Sequence, residues 1–328
     1  MKSVEKFMEE ENRKYYSRKG KGIYSDFKTF AASRRLGRAC ALEFVHCARK
    51  ADGELLVYDF GVGDGQFARN FLEEIEALDR GVGKRIAYVL WDVSEKMLEE
   101  AQLNLKGFSV ESVCAPAEEC RRMKSAFWVR ANELLSDVPA RVFVRKGKKI
   151  YEVGENNGEI AMAEESKPPK LAVERMRNAP ELYWIPVNSR ALGIVEEWKK
   201  KLRAGGGISI FDYGFYSEEE IREVPPEIWN GSVVRKYGGQ PTVDVDFGFL
   251  EKKCGGRVER QDEFVRRMLG ERVFAVEIGK MDYLSEEEIE EEREKIEKEG
   301  YDIELLKSGA ETSPFYHYFY LGWGVRSI

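Results

Sequence analysis

Leu55-Leu56-Val57-Tyr58-Asp59-Phe60-Gly61-Val62-Gly63-Asp64-Gly65 decides the reading of this chain. A short apolar run ends in an acid, and glycine then takes every second position. The run predicts a buried strand, and the apolar spacing from Gln66 to Leu78 predicts an amphipathic helix behind it. Glycines at such a junction let the backbone turn tightly and let a ligand approach it closely. The helix start offers unpaired N–H groups and the positive end of its dipole. Working outward, Ile86 to Asp92 reads as another strand with an acid at its C-terminal end, followed by a helix from Glu95 to Leu105. Ala126 to Arg130 is a further strand ending at Ala131-Asn132-Glu133, and Gly207 to Phe211 is another ending at Asp212-Tyr213-Gly214. Strands alternating with helices predict a parallel sheet.

Two ligand classes fit the glycine turn. A dinucleotide site wants G-x-G-x-x-G, so that the pyrophosphate rests on the helix. Here the pattern is G-x-G-x-G, with Asp59 two residues before Gly61. That fits S-adenosyl-L-methionine, whose amino-acid end carries charge but no phosphate. Asp59 can accept from its ammonium, and Gly61, Gly63 and Gly65 leave room for the homocysteine chain. Asp92 lies 27 residues past Gly65, where an acid can accept both ribose hydroxyls, with Val93 beside it. NAD sites use the same ribose acid, so Asp92 alone does not discriminate. The glycine spacing favours S-adenosyl-L-methionine as cofactor, with S-adenosyl-L-homocysteine as product.

The 328 residues suffice for two domains or one large domain with insertions. Hydrophobic residues make up 43%, which excludes a disordered chain. No apolar run approaches the ~20 residues that span a bilayer, and the N-terminus lacks a signal-peptide core, so the expectation is a cytoplasmic protein. Two histidines and five scattered cysteines without a Cys-x-x-Cys pair speak against a metal site. Cys40 and Cys47 share a helix face and read as core. The net charge of −6 argues against broad nucleic-acid binding. Residues 1–50 nevertheless carry a net +7, and a solvated helix surface is the plainest account of that excess.

The predicted organisation has six parts. Residues 1–50 form an N-terminal helical lid segment, and 51–140 the first part of the cofactor-binding core. Residues 141–187 are an insertion with a hairpin turn at Asn157-Gly158. Residues 188–215 return to the core, 216–270 form a second insertion on the substrate side, and 271–328 supply a C-terminal helix and final strands. Ser285 and Glu288 make a capping box, Leu284 and Ile289 a hydrophobic staple, and Gly300 the helix stop. Strands Tyr301 to Leu306 and Phe315 to Trp323 are expected after it. A last strand antiparallel to the rest is the usual end of a class I methyltransferase sheet.

Further motifs give a family resemblance. Tyr15-Tyr16, Ser25-Asp26-Phe27-Lys28-Thr29, the glycine loop, Ser94 to Gln102, Ala131-Asn132-Glu133-Leu134-Leu135-Ser136-Asp137-Val138-Pro139, Asp212-Tyr213-Gly214 and Asp244-Val245-Asp246-Phe247 stand in order along the chain. With these motifs the sequence resembles the MidA family of S-adenosyl-L-methionine-dependent methyltransferases, which includes the mitochondrial complex I assembly methyltransferase. The departures are Asp59 for Glu, Ser25 for Gly, Ser136 for Asp with Asp137 adjacent, and no His near Tyr237. The resemblance implies an α/β class I methyltransferase fold: a Rossmann-like, mostly parallel seven-stranded sheet with an antiparallel last strand, an N-terminal helical segment and insertions forming a substrate-binding cap.

It also implies a protein substrate, an arginine guanidinium of a partner such as an oxidoreductase complex subunit. On that reading Glu133 grips the guanidinium, and Asn132 orients it or the cofactor. Asp212 is a second carboxylate or the proton acceptor, and Tyr213 walls the pocket. Thr29 lies toward the methionine end of the cofactor, and Tyr16, Asp26 and Phe27 toward the substrate. The basic segment Arg13, Lys14, Arg18, Lys19 and Lys21 could guide an acidic protein. A small-molecule or RNA methyltransferase, or a cofactor-binding assembly factor without catalysis, stays open beside this, as does a homo-oligomer.

Asn and Gln number only 13 while Lys and Glu are plentiful, a thermophile-like balance. A melting temperature above about 65 °C is therefore expected, and a calorimetric scan with a lower midpoint would refute it.

Overall fold

The computed structural model describes residues 1–18, 29–165, 167–279, 281–308 and 318–323. Its centre is one sheet whose strands we number β1 (Leu55–Phe60), β2 (Ile86–Asp92), β3 (Val110–Cys114), β4 (Ala126–Asn132), β5 (Leu202–Phe215), β6 (Arg257–Arg260) and β7 (Tyr318–Trp323). The spatial order is β3-β2-β1-β4-β5-β7-β6. β1 to β5 run parallel, and β7 is antiparallel to both β5 and β6. This is the expected Rossmann-like sheet with its antiparallel final strand, but it has eight strands rather than seven, because the short strand Val245–Asp246 pairs parallel with the end of β5. The four central strands are apolar on both faces because helices cover both sides.

On one face pack α2 (Arg34–Ala48), α3 (Gln66–Leu78) and α6 (Gln261–Leu269), enclosing Phe44, Phe71, Tyr88, Phe127 and Phe264. α4 (Glu95–Asn104) lies between β2 and β3 in sequence, and its Leu98 and Ala101 join the same core. The opposite face is covered by α5 (Ser189–Lys201), whose Trp198 is fully buried against Phe60 at a ring-centroid distance of 4.8 Å. α1 (Val4–Arg18) lies outside the sheet, against the insertion.

The insertion forms its own antiparallel sheet from Arg141–Lys146, Lys149–Asn156, Glu159–Glu165 and Trp184–Val187, with Lys2–Ser3 added beside Lys149–Asn156. Asn157 and Gly158 both take positive φ at the predicted hairpin turn, as a type I′ turn requires.

Three expectations for the second half are corrected. Arg257–Arg260 is β6 of the main sheet and Gln261–Leu269 is α6, so the expected insertion at 216–270 ends near residue 256. The predicted C-terminal helix is two short helices, Glu286–Glu291 and Arg293–Lys298, packed through Ile289 and Ile296 on the hairpin Val273–Glu277/Met281–Ser285. Tyr301 to Leu306 is not a strand. Ile303–Ser308 is helical, because Ile303 and Leu306, three residues apart, both point into that small core. The capping box at Ser285 and Glu288 is present. Gly300, at φ 96, stops the second helix, with Gly300 N–H donating to Glu297 O and Tyr301 N–H to Ile296 O. The expected strand from Phe315 begins outside the described residues.

Gly65 fixes the junction of the glycine loop with α3. It sits at φ 80, and a Cβ there would lie 2.9 Å from Ala101 Cα. Gly65→Ala should destabilise the fold by about 2–4 kcal/mol, combining left-handed strain and overpacking. Urea unfolding with an unchanged midpoint would refute this.

Candidate active site

A cavity of about 980 Å³ opens at the C-terminal ends of β1, β2, β4 and β5. The strand order reverses between β1 and β4, which is where open α/β sheets place their ligands. Asp59, Gly61, Val62, Gly63 and Phe67 line one end, beside Trp91, Asp92 and Val93 from the end of β2. Ala115, Pro116 and Ala117 continue the wall. Asn132, Glu133, Asp137 and Tyr213 line the other end, roofed by Asn12, Arg13 and Tyr16 of α1.

The turn after β4 carries the chemistry. Glu133 takes φ 50, uncommon for a residue with a side chain, and its N–H donates to Phe211 O at 2.7 Å. Its carboxylate accepts from the Thr29 hydroxyl. Burial pushes Glu133 up to about 8; the Thr29 bond opposes this, and the nearby carboxylates of Asp212 and Asp137 add to it. The Asp137 carboxylate accepts from Tyr16 Oη at 2.7 Å and from Gln240 Nε2. Burial pushes Asp137 up to about 7, against the Tyr16 bond. Asn12 Nδ2 donates to the Asp137 carbonyl at 3.0 Å, so α1 is tied to the same turn.

Asp92 accepts Gly63 N–H at 3.1 Å and Ser94 N–H at 2.9 Å. Burial raises it to about 6 while these donors hold it down. Asp59 is buried at the cavity floor and accepts from Tyr88 Oη at 2.5 Å. Val93 stands at the rim, 52% exposed.

The structure therefore gathers Asp59, Gly61, Gly63, Asp92, Val93, Thr29, Asn132, Glu133, Tyr213 and Tyr16 around one cavity. Gly65 lies behind it, against α4. Asp26 and Phe27 lie outside the described residues, as do Lys19 and Lys21. Asp212 is the correction. It is fully buried and does not line the cavity. Its carboxylate accepts Ser136 N–H at 3.1 Å and Tyr213 N–H at 2.9 Å, so it holds the turn rather than facing a ligand.

Ser136 is buried, and its neighbour Asp137 lines the cavity. Asn12 and Gln240 escaped sequence reading. Glu9, Asn12, Arg13 and Tyr16 share one face of α1 at helical spacing, a signal that could have found Asn12. Gln240 is brought in by tertiary folding alone.

A family model described as "Putative S-adenosyl-L-methionine-dependent methyltransferase" matches residues 36–251, about two-thirds of the chain. Two crystal structures from Burkholderia thailandensis, both of proteins of one superfamily, share the fold. An uncharacterized protein in native form gives a TM-score of 0.65 at 19% identity, covering 99% of this chain and 88% of that one. The second, bound to S-adenosyl-homocysteine, gives 0.63 at 17%, with coverage of 99% and 88%. Among curated proteins none matches the sequence.

The raised carboxylates make a pH prediction. Glu133 and Asp137 hold their protons more tightly folded than unfolded, so stability is full below their ordinary pKa values near 4. It is lost as pH rises through about 7 to 8. Melting temperatures of the ligand-free protein should fall across this range, and less so in Glu133→Gln. Parallel curves for the two proteins would refute the shift at Glu133.

Proposed function

The chain belongs to this family of S-adenosyl-L-methionine-dependent methyltransferases, and from that premise we propose that its acceptor is an arginine guanidinium of a partner protein. The cofactor is S-adenosyl-L-methionine. Among the described residues, no helix is long and apolar enough to cross a membrane.

The cavity suits the cofactor. Asp92 lies beside the apolar wall of Trp91, Ala115 and Pro116, where a ribose and its base would lie. Asp59 and the glycine turn stand at the floor, where an amino-acid end would lie. The superfamily protein that binds S-adenosyl-homocysteine has the same fold, which supports this assignment. When bound, the cofactor supplies an electrophilic methyl group on a sulfonium.

The acceptor reading rests on one observation. Glu133 and Asp137 both line the far end of the cavity, and among the described residues neither forms an ion pair with Lys or Arg. Burial without a counter-ion keeps their pKa values high, and a guanidinium entering between them would supply the missing charge. Glu133 grips it through charge-assisted hydrogen bonds. Asp137, positioned by Tyr16 and Gln240, receives the proton released at the attacking nitrogen. Asn132 orients the acceptor, and the Tyr213 ring, backed by the Arg235 guanidinium at 4.7 Å, forms the wall. Most of the rate then comes from positioning.

One observation favours a second reading. α1 roofs the acceptor end through Asn12 and Tyr16, which would suit a small-molecule acceptor. Labelled methyl transfer into cell extract separates the two. Label should enter protein and appear as methylarginine after acid hydrolysis. Glu133→Gln should lower kcat at least 100-fold with cofactor affinity kept. Label in small molecules, or a fully active Glu133→Gln, would refute the arginine reading.

A further inference from the structure

Arg130 is a charged residue in the middle of the sheet. It lies on β4 in register with Asp59 on β1, and both point to the face under α3. Only 1% of Arg130 is exposed. Its guanidinium carbon lies 4.3 Å from the Phe67 ring centroid and 3.9 Å from that of Phe71. Nη1 donates to Tyr88 Oη at 3.1 Å, and Tyr88 in turn donates to Asp59 Oδ2 at 2.5 Å. Nη2 is buried and has no hydrogen-bond partner among the described residues. Asp59 and Phe67 line the cavity, whereas Tyr88 and Arg130 lie beneath it.

A buried guanidinium is costly unless it is compensated. Among the described residues the carboxylate that compensates it is Asp59, at the cofactor end of the cavity. The coupling works in both directions. Burial raises the Asp59 pKa, while the Arg130 charge and the Tyr88 hydrogen bond lower it. Cys40 of α2 and Asp92 of β2 also face this pair, and neither supplies a cation.

We propose that Arg130 is a positioning residue for the cofactor's amino-acid end. Acting through Tyr88, it fixes the Asp59 carboxylate as an anion at the cavity floor, where that carboxylate receives the cofactor's ammonium. The inference rests on assigning Asp59 to the ammonium. It adds a cation–hydroxyl–carboxylate chain that reaches across three strands.

The test compares two ligands by titration calorimetry. S-adenosyl-L-homocysteine carries the amino-acid end, and 5′-methylthioadenosine lacks it. Arg130→Met should weaken S-adenosyl-L-homocysteine at least tenfold while methylthioadenosine binds as to wild type. Tyr88→Phe, which removes one oxygen and keeps the ring, should weaken the first ligand several-fold with the second unchanged. It carries the test if Arg130→Met does not fold. Unchanged affinity for both ligands in these variants, or an equal loss for both, would overturn the proposal, since a merely structural role predicts one or the other. Asp59→Asn separates the premise from the inference. If it binds S-adenosyl-L-homocysteine as wild type does, the ammonium assignment fails by itself; if it loses affinity while Arg130→Met and Tyr88→Phe do not, only the role of Arg130 fails.

Discussion

The site depends on the carboxylate of Asp212, which faces no ligand. It sits at the end of β5 and accepts backbone N–H groups from Ser136 on the adjacent turn and from Tyr213. That turn leaves β4 with Glu133 in a left-handed conformation, a cost of about 1–2 kcal/mol for a residue with a Cβ. Such a backbone persists only where its surroundings over-determine it. Asp212 supplies part of that constraint, and the bond from Glu133 N–H to Phe211 O supplies more. The result points Glu133 and Asp137, four residues apart, into the same cavity. A conserving change at Asp212 would thus act on geometry before it acted on charge.

The two ends of the cavity are electrostatically different. At the cofactor end, Asp59 is matched by a buried arginine and Asp92 by two backbone donors. At the other end, Glu133, Asp137 and Asp212 gather, and among the described residues no lysine or arginine pairs with them and their hydrogen-bond donors are neutral. Neutral donors orient a carboxylate but do not balance its charge. Raised pKa values are the expected consequence, since protonation is the cheapest way to keep several acids in one dry space. A bound cation would do the same without the protons.

The cofactor half was legible because it is local. A strand, three spaced glycines, a helix and a distal acid occupy consecutive stretches, and each is written in residue types with few alternatives. The C-terminal capping box and glycine stop were legible for the same reason. The acceptor half was harder. The motif around Glu133 marked the turn, but which acid faces the cavity depends on the rotation of that turn. Asp212, read from its motif as a site carboxylate, is buried behind the turn, and Asp137, which the motif marked only as a neighbour of Ser136, lines the cavity. β6, with the sequence Arg-Val-Glu-Arg, carries no apolar alternation and is a strand only because β7 lies beside it. Arg130 could be seen as an anomaly in an apolar run, yet its partners Asp59 and Tyr88 come from two other strands.

α1 gives the last constraint. It has no place in the main sheet, yet Asn12 and Tyr16 tie it to the turn after β4, and Arg190 at the start of α5 holds it through Glu5 and Glu9. These contacts lie at the cavity wall and are polar, so each can be exchanged for water at little net cost. The apolar anchors Val4 and Met8 lie at the far end of the helix, against the insertion sheet. Tyr15, toward the cavity end, is also buried and packs against Met97, so α1 is seated by apolar contacts at both ends. Tyr16 and Asn12 line the cavity and also hold Asp137, so the roof of that end and the orientation of the carboxylate are set by a single turn of helix.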